Sequence, residues 1–145
     1  MNFFFDTSVL VAAAVNSHQH YPRARPALQR VAAGVDSGFM SAHSIAEVFA
    51  TLTRMPVQPR MHPAEAIRLI SENIVRHFSI IPIEPDDYME ALDSVAKSGW
   101  IGAKIYDVLL LGCAAKCTPD RIYTFNVADF VRIAPSSIAE IICAP

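Results

Sequence analysis

Charge is scarce in this chain and almost balanced: 18 % of its 145 residues are charged, and 12 Lys and Arg against 14 Asp and Glu leave a formal net charge of −2. That balance excludes binding of nucleic acid through a broad cationic surface, so contact with a polyanion requires a local basic patch or a bound cation. Cysteine is also sparse, three residues in all. An odd number without framework spacing argues against an exported disulfide scaffold and for a reducing compartment. Cys113 and Cys117 lie one helical turn apart and Cys143 stands near the end, with no second Cys or His pair at ligand spacing, so buried small hydrophobes fit better than zinc ligands. A basic n-region is missing, and Asp6 interrupts the first apolar run, which speaks against a signal peptide. The uncharged stretch from Thr7 to Ser17 is too short to span a bilayer. Repeats, linkers and low-complexity segments are absent too. The expectation is a soluble cytoplasmic protein without membrane contact.

What the chain does have is apolar surface: 52 % of its residues are hydrophobic, which argues against disorder. Its length suits one domain, residues 1–145, burying roughly two-thirds of the surface the unfolded chain exposes. Asn2–Phe5 reads as a short buried strand, and Ser8–Val15 as an apolar helix after almost no loop. Tyr21–Ala33 reads as a helix with Pro22 in its first turn and Gly34 at its end. Phe39–Ser41 fits a strand. In SIAEVFATLTR, Ile45, Val48, Phe49 and Leu52 recur at helical spacing behind Ser44 as the expected cap, with Glu47, Thr51 and Arg54 on the other face. After the proline-broken MPVQPRMHP, the expectations are a helix over Ala64–Val75, a strand over Ser79–Ile83 and a helix over Asp86–Lys97. Lys104–Lys116 is expected to be a helix buried on all sides, because VLLLGCAA is apolar all round. Arg121–Phe125 and Ile138–Cys143 read as strands, the second at an edge, with a turn and short helical piece in NVADF.

Alternation of strands and helices predicts a mainly parallel sheet covered on both faces, an α/β class, with its functional crevice at the carboxyl ends of the strands. Asp6, Asn126 and Asp129 fall at such ends. Each acid has a plainer role open to it. Asp6 could cap the helix that follows, Glu47 could be solvated on a polar face, and Asn126 and Asp129 suit a turn for local reasons. Asp107 is the odd one, a carboxylate about one turn into an otherwise apolar helix. Brought to one rim, two carboxylates about 5 Å apart repel by roughly 3 kcal/mol at an effective dielectric near 20, so such a cluster protonates or binds a cation. With no Lys or Arg adjoining within these motifs and only oxygen donors, Mg²⁺ or Mn²⁺ is favoured over zinc. An ion of that kind fits metal-assisted phosphodiester hydrolysis by an activated water.

In order along the chain, FFFDTSVL, SAHSIAEVFATLTR, IYDVLLLGCAA and YTFNVADF resemble the motifs of PIN-domain ribonucleases, above all the VapC-type toxins of toxin–antitoxin pairs. The resemblance covers essentially the whole chain. It implies a three-layer α/β/α sandwich, with Asp6, Glu47 and Asp107 as metal ligands. The fourth acidic position falls in Thr124–Phe130, where Asn126 stands at the place that is Asp in many relatives; the resemblance leaves open whether Asn126 or Asp129 serves, and whether a second ion binds. Relatives commonly carry a basic residue where this chain has Phe125, so Arg54 and Lys104 are the candidates for gripping RNA. Thr7 and Ser8 are candidates for orienting Asp6 or a bound water. The resemblance further implies single-stranded or loop RNA as substrate, a homodimer, and a cognate antitoxin covering the acidic groove. His18, His20, His43, His62 and His77 show no pairing that suggests base catalysis.

Two other classes compete. Haloacid-dehalogenase-like phosphatases also place an Asp after the first strand but require a second Asp two residues on, and Ser8 stands there. A PIN fold kept as an RNA- or protein-binding module, with Asn126 marking a weakened site, is the non-enzymatic alternative.

Overall fold

The computed structural model describes all 145 residues. Five strands form one sheet in the order β3-β2-β1-β4-β5, with every pairing parallel. They are β1 (Asn2–Phe5), β2 (Ser37–Ser41), β3 (Phe78–Ile81), β4 (Arg121–Tyr123) and β5 (Ile142–Cys143). Helices α1 (Thr7–Ala14), α2 (Tyr21–Ala32), α3 (Ala42–Arg54) and α4 (Pro63–Ile70) contribute to the core on one face; α5 (Pro85–Ser98), α6 (Lys104–Lys116) and α7 (Val127–Ile133) lie on the other side of the chain's core, and a short α8 (Ser136–Ala139) precedes β5.

The three phenylalanines of β1 explain the layering. Side chains of a strand alternate between faces. Phe3 and Phe5 enter the core shared with α1 to α4, whereas Phe4 enters the core built from α6, α7, β4 and β5. Phe5 meets Phe78 edge-on at 5.0 Å and Phe3 stacks on Tyr123 at 4.8 Å, which ties the central strand to material from both halves of the sheet. A strand buried on both faces is why FFF has no polar alternation. Gly38, next to Phe3 in the register, is required by close approach: a Cβ there would lie 2.6 Å from Val31 Cγ1 and 2.8 Å from the Phe78 ring.

Several expected boundaries move. Ser41, not Ser44, caps α3 by accepting from the His43 amide; Ser44 is buried and bonded to Thr7 instead. The helix expected over Ala64–Val75 loosens into a π-turn at Ser71–Val75. Residues Ile138 to Cys143 are not one strand, because Pro135 opens the one-turn α8 and only Ile142–Cys143 pair with β4. The α6 helix is not buried on every side either: Gly112 and Ala115 are exposed along a groove whose other wall includes Ala91 of α5 and Ile138, while Lys116 at the end of α6 pairs with Asp87. All three cysteines are free, and burial pushes the Cys117 thiol up to about 11. No helix is long and apolar enough to cross a membrane.

The strand order places the site. From β1 the chain winds to β2 and β3 on one side and to β4 and β5 on the other, so the winding reverses between β1 and β4. In open α/β sheets the crevice outside the carboxyl ends at that point is where ligands bind.

Candidate active site

Asp6 follows directly on β1, and its amide continues the ladder by donating to the Tyr123 carbonyl at 2.9 Å. It holds the N-cap position of α1, yet its side chain makes no capping bond. Its Oδ2 instead accepts from the hydroxyls of Ser8 at 2.5 Å and Thr124 at 2.8 Å. Thr124 comes from the turn after β4, so the two strands flanking the switch point are stitched together through this carboxylate. The residue is only 6 % exposed, and burial raises its pKa above the ordinary carboxylate value although both hydroxyls pull it back. The amides of Thr7 and Ser8 at the start of α1 also favour its charged form, so a capping contribution adds to the two hydroxyls, which bind it more strongly.

Glu47 reaches the same rim from α3. Its carboxylate lies 3.2 Å from His43 Nε2, one turn earlier, a neighbour that opposes the rise of its pKa. Partial burial still raises it, and the fields of Asp6 and Asp107 add to the rise. Because α6 runs back toward the start of β4, its first turn lies at the carboxyl rim. Asp107 stands there, raised by burial and then by Asp6 and Asp129, with Lys104 opposing. The starts of α3 and α6 meet where the His43 ring lies parallel to Tyr106, 6.0 Å between centroids.

Asp6, Glu47 and Asp107, far apart in the chain, therefore feel one another's charge. Asp129 joins through Lys104, whose Nζ is 3.5 Å from Asp129 Oδ1 and 3.9 Å from Asp107 Oδ2. Lys104 is a helical neighbour of Asp107, and the fold adds its contact with Asp129. Asn126 takes a different position: exposed, its amide bonded to Thr124 Oγ1 at 3.0 Å, it lines a cleft together with Thr7 and Ser8, the two residues after Asp6. Arg54, exposed in the last turn of α3, makes no ion pair with these acids.

No three carboxylate, imidazole or thiol groups are drawn close enough to form a finished metal cage. The donor chemistry nonetheless suits a hard divalent ion: the side chains offer oxygen, they repel one another, and Mg²⁺ keeps several waters while bound through one or two carboxylates. Asp6 with Asp107 or Glu47 provides that number.

The cleft beside Asp6 was not legible as a site in the sequence. About 340 Å³ in volume, it is bounded by Thr7, Ser8, His18, His20, Phe125 and Asn126 among others. The only signal for it was the unusual Phe125 in the turn.

Residues 3–134 match the PIN domain family. The chain belongs to that family. Ribonuclease VapC40 of Mycobacterium tuberculosis is 29 % identical over 119 residues, covering 82 % of each chain. Among solved structures, the fold is similar to VapC20 of M. tuberculosis, a sarcin–ricin-loop-cleaving toxin, with a TM-score of 0.70 at 15 % identity over 94 % of this chain and 98 % of that one. VapBC2 from Rickettsia felis, bound to a promoter DNA fragment, gives a TM-score of 0.67 at 17 % identity over 100 % and 99 % of the two chains. The sandwich with an all-parallel centre is thus the PIN fold.

Proposed function

We propose that this chain, one PIN domain over residues 1–145, is a Mg²⁺- or Mn²⁺-dependent endoribonuclease that cuts single-stranded or loop RNA. On the same reading it is the toxin of a VapBC-type pair, cytoplasmic, homodimeric, and silenced by an antitoxin laid over the acidic rim. The observation that carries the reading is the meeting of Asp6, Glu47 and Asp107 at the switch point of a PIN fold, each with its pKa raised. The similarity to VapC ribonucleases supports both the chemistry and the partner.

Asp6 together with Asp107 or Glu47 would hold the ion, and Ser8 and Thr124 would fix Asp6 in place. A divalent ion held there supplies an acidified water and neutralises charge on a phosphate. Lys104, at the edge of the cluster, would meet a second phosphate oxygen once the acids it contacts are otherwise neutralised. Asp129 rather than Asn126 stands with the acids, which favours Asp129 as the fourth polar group of the site.

Purified protein incubated with total RNA tests the reading. Cuts that vanish in a chelator and return with added Mg²⁺ or Mn²⁺ support it. RNA left intact at high protein concentration, but bound, would establish the binding-module alternative instead.

A further inference from the structure

The turn joining α1 to α2 brings His18 and His20 to the cleft beside Asp6. Val15 accepts from the His18 amide and His18 from the Tyr21 amide, both at 2.9 Å, which curls the turn and leaves the two imidazoles 5.7 Å apart and tilted by 44°. His20 then stacks on Phe125 with centroids 4.2 Å apart and planes 14° apart. This contact joins a turn near residue 20 to the turn after β4. Arg23 extends the series, its guanidinium carbon 5.8 Å from the Phe125 centroid. His18 Nδ1 accepts from the His20 amide at 3.1 Å, so its Nε2 carries the ring proton and remains a donor. Gln19, Thr51 and Asn126 line the same cleft with amide and hydroxyl groups.

An aromatic pair with a guanidinium over one ring, at the edge of a cleft lined by neutral hydrogen-bonding groups, has the features that hold an unstacked base. A substrate with no base, such as a simple phosphate ester, would make no use of it. We propose that this cleft is a nucleobase pocket, in which one base of the RNA stacks on the His20–Phe125 pair while an adjoining phosphate lies over Asp6 and Asp107. The assignment rests on the ribonuclease reading above and adds to it the element that grips the substrate. It also explains how a nearly neutral protein holds RNA: stacking replaces much of what a basic surface provides elsewhere.

Binding of a short single-stranded RNA carrying one 2-aminopurine to the full chain tests the pocket, with Asp107→Asn as the background that blocks cutting and Mg²⁺ present throughout. Stacking quenches this base, so its fluorescence reports the contact as well as the affinity. Phe125→Leu, which keeps the apolar packing, is expected to weaken binding by roughly 5- to 150-fold and abolish the quench, the loss typical of one base–aromatic stack. His20→Ala, at a half-buried position of the turn, is expected to act in the same direction, and Phe125→Trp to restore both signals. Undiminished binding and quenching in both Phe125→Leu and His20→Ala would overturn the pocket even if the wild-type protein cuts RNA. Failure of the wild type to cut and of the Asp107→Asn protein to bind any RNA brings down the ribonuclease reading itself, and the pocket with it.

Discussion

Thr124 donates its hydroxyl to Asp6 across 118 positions of sequence, at 2.8 Å and with the Thr124 side chain wholly buried. The same oxygen accepts from the Asn126 amide, so one hydroxyl positions the first acid and the turn that follows β4. Thr124→Val keeps the shape and removes both bonds. Hydrogen bonds to charged groups contribute about 1.5–3 kcal/mol, and disturbing the support of a metal ligand costs roughly 10–100-fold in metal affinity or activity. The variant is expected to melt earlier and to bind Mn²⁺ correspondingly less tightly, with Thr124→Ser close to wild type. Calorimetric titration with Mn²⁺ decides it; equal affinities in Thr124→Val and wild type would show that Thr124 serves the fold alone.

Asp107 tests whether the acids are assembled for function at a cost to the fold. Its pKa is raised by burial and by Asp6 and Asp129, so the ionised form is less comfortable folded than unfolded. Asp107→Asn should abolish RNA cleavage while leaving the metal-free protein as stable as wild type or slightly more so, the gain being small because solvent screens a side chain 35 % exposed. Thermal melts in a chelator make the comparison. A large fall in melting temperature would mark Asp107 as a structural residue.

The parts of this arrangement that sequence exposes are those encoded by local rules. Helical periodicity set Glu47 opposite Val48 and Leu52, and the strand-end position of Asp6 follows from FFF running into a charge. Both landed at the rim because a parallel sheet leaves its helix starts there. What stayed hidden depends on contacts between distant turns. Nothing local distinguishes Thr124 from any turn threonine, and His20 gives no sign that it will lie on Phe125. Ser41 and Ser44 both precede the same apolar helix, and only tertiary packing, Ser44 against Thr7, decides that Ser41 caps it. Similarly, Ile138–Cys143 has strand-like residues, but Pro135 starts a helical turn first.

Gly38 offers a check on the layering that is independent of the site. A methyl group there would press on Val31 Cγ1 and on the ring of Phe78, both buried. Crowding of this kind costs typically about 1–3 kcal/mol. Gly38→Ala should lower the denaturation midpoint by that amount without altering Mn²⁺ affinity, since β2 meets α2 and β3 there, away from the acids. A neutral Gly38→Ala would mean that the sheet is free to yield at this point.

Asp36 predicts how stability depends on acidity. Its carboxylate, 4 % exposed, accepts from Arg30 Nε at 2.6 Å, and that bond holds its pKa below the ordinary carboxylate value. With the folded value below the unfolded one, the unfolded chain binds the proton first, so the contribution is complete above the unfolded pKa and is lost as pH falls through the folded one. Wild type should therefore lose more stability than Asp36→Asn as pH is lowered from 5 to below the ordinary Asp range. Denaturant midpoints of the two proteins across that range give the difference; parallel curves would refute the pairing.

Lys104 stands between Asp107 and Asp129, where it lessens their repulsion and competes with any ion that would do the same. Asp129 is 54 % exposed, so its pair with Lys104 is solvent-screened and contributes little, about 0–1 kcal/mol. Lys104→Met therefore makes two effects run in opposite directions. The metal-free protein should be slightly less stable, while Mn²⁺ should bind more tightly, by up to about fivefold if roughly 1 kcal/mol of like-charge repulsion is removed. Lys104→Arg, which keeps the charge, should show neither change. Weaker Mn²⁺ binding in Lys104→Met would instead mean that the lysine assembles the acidic rim, and that Asp107 and Asp129 drift apart without it.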